Sequence, residues 1–204
     1  MIEWSVVRGG IIRWKGLIVK RALRTQWLLL AVLVFFGVLA RLYQVQWNVT
    51  PTAALALFAG YLFTERKLAY AVPLAILAVS NFFLPSHHSA GEMLAVYGSF
   101  LIPVALGGLV RRRFTLARVA CCTLASSVLF FLITNFAVWI YRRGDAYADS
   151  WAGLLACYEA GLLFFRWMLA GDLFYAAVIF GSYALAISTV GRRVIRVPLP
   201  RDDR

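Results

Sequence analysis

The chain has 204 residues, 62% of them hydrophobic and 15% charged, with a mean hydropathy of +0.78. A soluble domain carries roughly a quarter charged residues, and a chain this apolar does not stay solvated as a disordered one, so both classes are excluded. The net charge of +12, from 21 Lys and Arg against 9 Asp and Glu, fits a membrane protein with basic cytoplasmic edges rather than a nucleic-acid binder, and the length leaves room for one helical bundle of about six spans without a separate soluble domain.

Residues 1–24 form a basic cytoplasmic segment with six of the positive charges. Positions 11–23 interleave Ile, Trp and Leu with Arg and Lys. That pattern suits a helix lying on an anionic leaflet, though a plain cluster of topogenic charges is the preferred reading. The apolar run that follows is a retained signal anchor rather than a cleaved signal peptide, because its basic flank is long and Arg41 follows at once.

Charge-free stretches at 25–40, 42–64, 68–91, 93–110, 119–141 and 173–191 are each 16 to 24 residues long, close to the roughly 20 that cross a bilayer as a helix. They show no alternation of polar and apolar residues, and in lipid every backbone group must be satisfied within its own segment. The fold class expected is therefore an all-α membrane protein, a six-transmembrane-helix bundle over residues 25–191 with a basic cytoplasmic tail at 192–204. The second stretch is the weakest. Asn48, Thr50 and Pro51 cut it, leaving an apolar piece at 52–63 too short to span unless neighbours shield it. Residues 142–171 form an outer-face segment in this reading, with 151–169 a helix on or dipping into the outer surface; a seventh span there would carry Glu159 and Arg166 and move five arginines outside.

Six spans place both termini on one side. Seventeen basic residues then fall on that side against four on the other, namely Arg41, Arg142, Arg143 and Arg166, so the orientation expected is N-in and C-in. The three cysteines are read as small buried apolar residues. Cys122 and Trp139 are separated by 17 residues of helix, or about 25 Å, which keeps Cys157 beyond bonding reach of Cys121 and Cys122. The tandem Gly107 and Gly108 read as close helix packing.

Polar residues at membrane depth cost free energy unless they pair or line a cavity. Asn48, Asn81 and Asn135 all fall toward the outer half of the bilayer in this topology, with Thr50 beside the first, and they either converge on a ligand or join helices by hydrogen bonds. Trp47, Tyr97, Trp139, Tyr141, Trp151, Tyr158 and Trp167 form an aromatic belt at the outer headgroups or part of a pocket wall. Glu159 and Arg166, seven apart, share a helical face, and Asp172 opens the last span, where a helix N-terminus favours a carboxylate. His87, His88 and Glu92 are read as a solvated loop rather than a metal site, since no further ligand accompanies them. No nucleotide-binding loop, nucleophile elbow or zincin helix occurs, so neither catalysis nor a cofactor is expected.

Four runs, NVTPTAALALFAGYLF (48–63), VYGSF (96–100), SSVLFFLITNFAVW (126–139) and GLLACYEAGLLFFRWMLAGDLFYAAVIFG (153–181), resemble an uncharacterised family of bacterial multi-pass membrane proteins. That family is similar in size and topology to the substrate-binding S components of energy-coupling factor transporters. The resemblance implies a bundle with an outward pocket near the loop before the second span and the loop between the fifth and sixth. The ligand would be a vitamin- or metabolite-like small molecule, held by residues drawn from Asn48, Thr50, Asn81, Tyr97, Asn135, Trp139, Tyr158, Glu159, Arg166 and Asp172. It also implies a lipid bilayer and an energy-coupling membrane subunit with ATPases as partners. The chain departs from the pattern in having Asn81 where the family often has aspartate, and in lacking small residues four apart on its first span, where S components dock; Ala71 and Ala75 offer such a pair on the third. The alternative reading is a noncatalytic membrane scaffold or assembly subunit.

Overall fold

The computed structural model describes residues 24–44, 49–84 and 89–195, with side chains to 189. Residues 11–23, Trp47, Asn48, His87, His88 and the tail from 196, on which several expectations rest, lie outside that set. The described chain is helical: α1 Arg24–Leu42, α2 Thr52–Leu62, α3 Arg66–Asn81, α4 Ala90–Ser99, α5 Leu101–Arg112, α6 Leu116–Arg142 and α7 Trp151–Ile195. Among the described residues, four runs are long and apolar enough to cross a membrane: α1, α4 with α5, α6, and α7 as far as Thr189.

The helix starts follow capping chemistry. Ser89, Thr115 and Ser150 each accept a hydrogen bond through the side-chain oxygen from the N–H three residues on, at Glu92, Arg118 and Gly153, which satisfies one of the amides a helix leaves open. Pro51 precedes α2, and its carbonyl accepts from Leu55. Between α4 and α5 the run turns at Phe100. Pro103 lacks the N–H that would bond the Ser99 carbonyl, and its ring crowds that carbonyl, so the break falls where proline geometry puts it.

The short α2 is the centre of the bundle. Its eight residues from Thr52 to Gly60, omitting Ala53, are buried. One side packs with Leu68, Val72 and Ile76 of α3 and Val104 of α5. The other meets Val110 of α5, Val119 and Cys122 of α6 and Ala176 and Phe180 of α7. Eleven residues rise only about 16 Å, and the neighbours supply the shield this piece needs. Gly60 and Gly107 let α2 and α5 touch backbone to backbone: a Cβ on Gly60 would meet the Val104 carbonyl, and one on Gly107 would meet Leu57 O and stand 2.7 Å from Tyr61 N. Gly108, expected to do the same, has open space around it. The C-terminal carbonyls of α2 are met by Arg111, which donates through Nε to Tyr61 O at 2.8 Å and through Nη2 to Gly60 O and Phe63 O, a cationic cap on the negative helix end.

The outer surface is that of a protein in lipid. Trp27, Leu28 and Phe35 of α1, and Leu162, Leu163 and Phe164 of α7, all stand more than half exposed, far more apolar surface than a water-soluble monomer tolerates. The protein is a multi-pass membrane protein.

The largest departure from the sequence reading lies at the C-terminal end. Residues 151–169 are not a separate surface helix, nor is 173–191 a span by itself; both belong to the 45-residue α7. It runs antiparallel along α6, held by Tyr158 Oη donating to Leu132 O, Cys157 Sγ to Asn135 O and Ser127 Oγ to Asp172 Oδ2. The charges at 159, 166 and 172 do not mark helix ends, because Glu159 and Arg166 sit on the exposed face and Asp172 turns inward. Cys157 and Cys122 are buried as expected, whereas Cys121 is exposed.

Candidate binding cavity

A cavity of about 340 Å³ lies among α1, α2, α4, α5, α6 and α7, within the range of sites that take small molecules. Its walls follow from features already described. The break at Phe100 brings Ser99, Phe100 and Pro103 to one side; α6 contributes Ser127, Phe131 and Asn135; α7 faces them with Gly161, Phe165 and Asp172. Residues 127, 131 and 135 recur at four-residue spacing and so share one helical face. Arg41, Gln44 and Thr50 close the end nearest the α1–α2 connection.

Asp172 is the most buried ionisable group of the wall, 4% exposed. It stands 21 residues inside α7, so the helix-terminus explanation for a carboxylate there does not apply. Its hydrogen bond among the described residues comes from Ser127 Oγ at 2.8 Å. Asn135 also lines the cavity. Its Nδ2 donates to Phe131 O of its own helix at 2.9 Å, and its Oδ1 lies against the bare Gly161 backbone, where a Cβ would stand 2.9 Å from Asn135 Cγ. Among the described residues its amide makes no hydrogen bond to another helix, unlike a residue whose task is to join helices.

The other expected residues scatter. Thr50 lines the cavity and pairs with Thr52 Oγ1 at 3.1 Å. Asn81 stands behind it: its Oδ1 accepts from Arg41 Nη2 at 3.4 Å, and its Nδ2 donates to Tyr97 Oη at 3.2 Å. Asn81 and Asn135 therefore do not converge directly. Trp139 instead ties the α6–α7 turn through Nε1 to Ala148 O at 3.1 Å, with Arg143 above its ring. Tyr158 packs on Phe131 and bonds Leu132 O. Glu159 and Arg166 point outward, Arg166 over Trp167. Trp167 stands within α7 and Trp151 at its start, 47% and 73% exposed respectively.

Three participants escaped the sequence reading. Ser126 and Ser127 sit in the quoted α6 motif, and Ser127 is eight residues before Asn135, a spacing that marks the shared face. Arg41 reads in sequence as an outer flanking charge. In the structure its Nε donates to Ser80 Oγ at 2.9 Å, so it is fixed over the cavity by two neutral acceptors of α3.

Residues 21–195 match the model of DUF6580, a family of unknown function, and the chain belongs to that family. No curated protein and no solved structure matches it.

Proposed function

Starting from membership of that family, we propose that the protein binds a vitamin- or metabolite-like small molecule from the outer side of a bacterial inner membrane and takes part in its uptake, without a catalytic step. The observation that carries this reading is the cavity itself, with a carboxylate 4% exposed and an amide that bonds no other helix among the described residues both facing into it. Polar groups at such depth are costly unless they line a pathway or a site. An N-in, C-in orientation agrees with it, since α6 and α7 then run in to out and out to in, and Arg41 and Thr50 lie toward the outside. On this reading the family would work as energy-coupling factor S components do, with a coupling membrane subunit and ATPases as partners.

The test is a thermal-shift screen of metabolites and vitamins on detergent-purified protein, followed by the Asn135→Leu variant. A ligand at about 100 times its dissociation constant adds roughly 2.7 kcal/mol to stability, and Asn135→Leu is expected to remove that shift while the variant remains folded. The scaffold alternative draws on the helix-to-helix bonds of Arg41, Asn81 and Tyr158. It is preferred if a broad screen gives no shift and Asn135→Leu changes stability alone.

A further inference from the structure

The cavity is lined by one acidic and one basic side chain that do not pair with each other. Arg41 and Asp172 both line it, yet the ion pair among the described residues is elsewhere, Arg143 with Asp149 at 3.4 Å on the surface. Each charged group is instead positioned by neutral partners. Ser80 and Asn81 hold Arg41 through Nε and Nη2, leaving Nη1 without a hydrogen bond among the described residues. Ser127 holds Asp172 through Oδ2, leaving Oδ1 likewise. The cavity's remaining polar side chains, among them Thr50, Thr134 and Asn135, are neutral, and Phe100, Phe130, Phe131 and Phe165 line the same space.

An unpaired charge among apolar walls is unfavourable, and a counter-charge brought by a ligand compensates it. One ligand satisfies both ends only if it carries both signs. We infer that the cavity takes a small zwitterion with an apolar body, its cationic group on Asp172, its anionic group on Arg41 and its body against the phenylalanines. This inference rests on the binding reading above and narrows it. Bidentate or charge-assisted bonds from guanidinium to carboxylate, and from ammonium to carboxylate, are about twice as strong as neutral ones, so loss of either end lowers affinity strongly, and aromatic faces add attraction for a nearby cation.

The experiment is calorimetric titration of the full-length protein in detergent with phenylalanine, tryptophan, leucine and methionine, each set beside its amine-only and acid-only counterpart, such as phenethylamine and 3-phenylpropionate for phenylalanine. At least one zwitterion is expected to bind, with both singly charged counterparts weaker by about tenfold or more. Asp172→Asn, nearly isosteric and still able to accept from Ser127, should bring the zwitterion's affinity down to that of its acid-only counterpart. Arg41→Gln should bring it down to that of the amine-only one. The comparison among ligands uses the unaltered protein and stands even if a variant fails to fold. The inference is overturned if the counterparts bind as well as the zwitterions. It is also overturned, with the cavity's binding role intact, if the zwitterions do not bind while a neutral or singly charged molecule from the metabolite screen does. If neither set binds, the binding reading falls with it.

Discussion

The contact of α2 with α5 can be tested by adding one carbon. In Gly60→Ala the new Cβ would stand 2.8 Å from the Val104 carbonyl carbon and closer still to its oxygen. Ordinary contact begins at 3.4 Å, so the two backbones must part by at least 0.6 Å. Neither side is a flexible side chain that can rotate away. Both helices are pinned further along, by Gly107 against Leu57 and by Arg111 on the α2 carbonyls. Overpacking of this kind costs about 1–3 kcal/mol, partly offset by the better helix propensity of Ala, about 1 kcal/mol. Gly108→Ala is the control, on the facing helix α5 beside the contact residue Gly107, with nothing within 4 Å of its new carbon. Thermal unfolding of detergent-purified protein, followed by tryptophan fluorescence, should place Gly60→Ala about 0–8 °C below the parent protein, from a net loss of about 0–2 kcal/mol, and below Gly108→Ala, which lies level with the parent or a little above it, at roughly 2–4 °C per kcal/mol for a chain this size. Equal midpoints for the two variants would refute the backbone contact and, with it, the placement of α2 at the bundle centre.

Three further outcomes are expected. Arg111→Met, which strips the cap from the α2 carbonyls, should destabilise by about 1–3 kcal/mol in the same unfolding assay, while Arg112→Met stays within about 0.5 kcal/mol. Ser127→Ala, by removing the hydroxyl that bonds Asp172, should lower stability by about 1–3 kcal/mol at neutral pH; a change smaller than the replicate error would mean the bond is not formed. Reporter fusions after Arg113 and after Asp145, in the turns before and after α6, should read cytoplasmic and periplasmic respectively, and the opposite pair of readings would reverse the orientation.

The sequence alone determined the solvent and the class. Freedom from charge over stretches of bilayer length is a one-dimensional property, and α1, the α4–α5 run and α6 appear where those stretches lie. Pro51 before α2, and the shortness of the helix after it, were legible for the same reason, since proline acts on its own backbone and its immediate neighbours. The family resemblance was likewise carried by contiguous motifs, and the family match covers them. What the tertiary structure decided was the meaning of each charge. Glu159, Arg166 and Asp172 interrupt the last apolar stretch in sequence, yet one helix carries all three, because a helix turns successive residues to different faces and only Asp172 falls on the one packed against Ser127. Arg41 looked like a topogenic flank until α3 brought Ser80 and Asn81 to it from about forty residues away. Asn81 and Asn135, expected at one depth, do not share a place: depth follows from counting along a helix, whereas lateral position depends on how helices pack. That packing rests on contacts such as Gly60 with Val104 and Asn135 with Gly161, whose partners are distant in sequence and have no local signature.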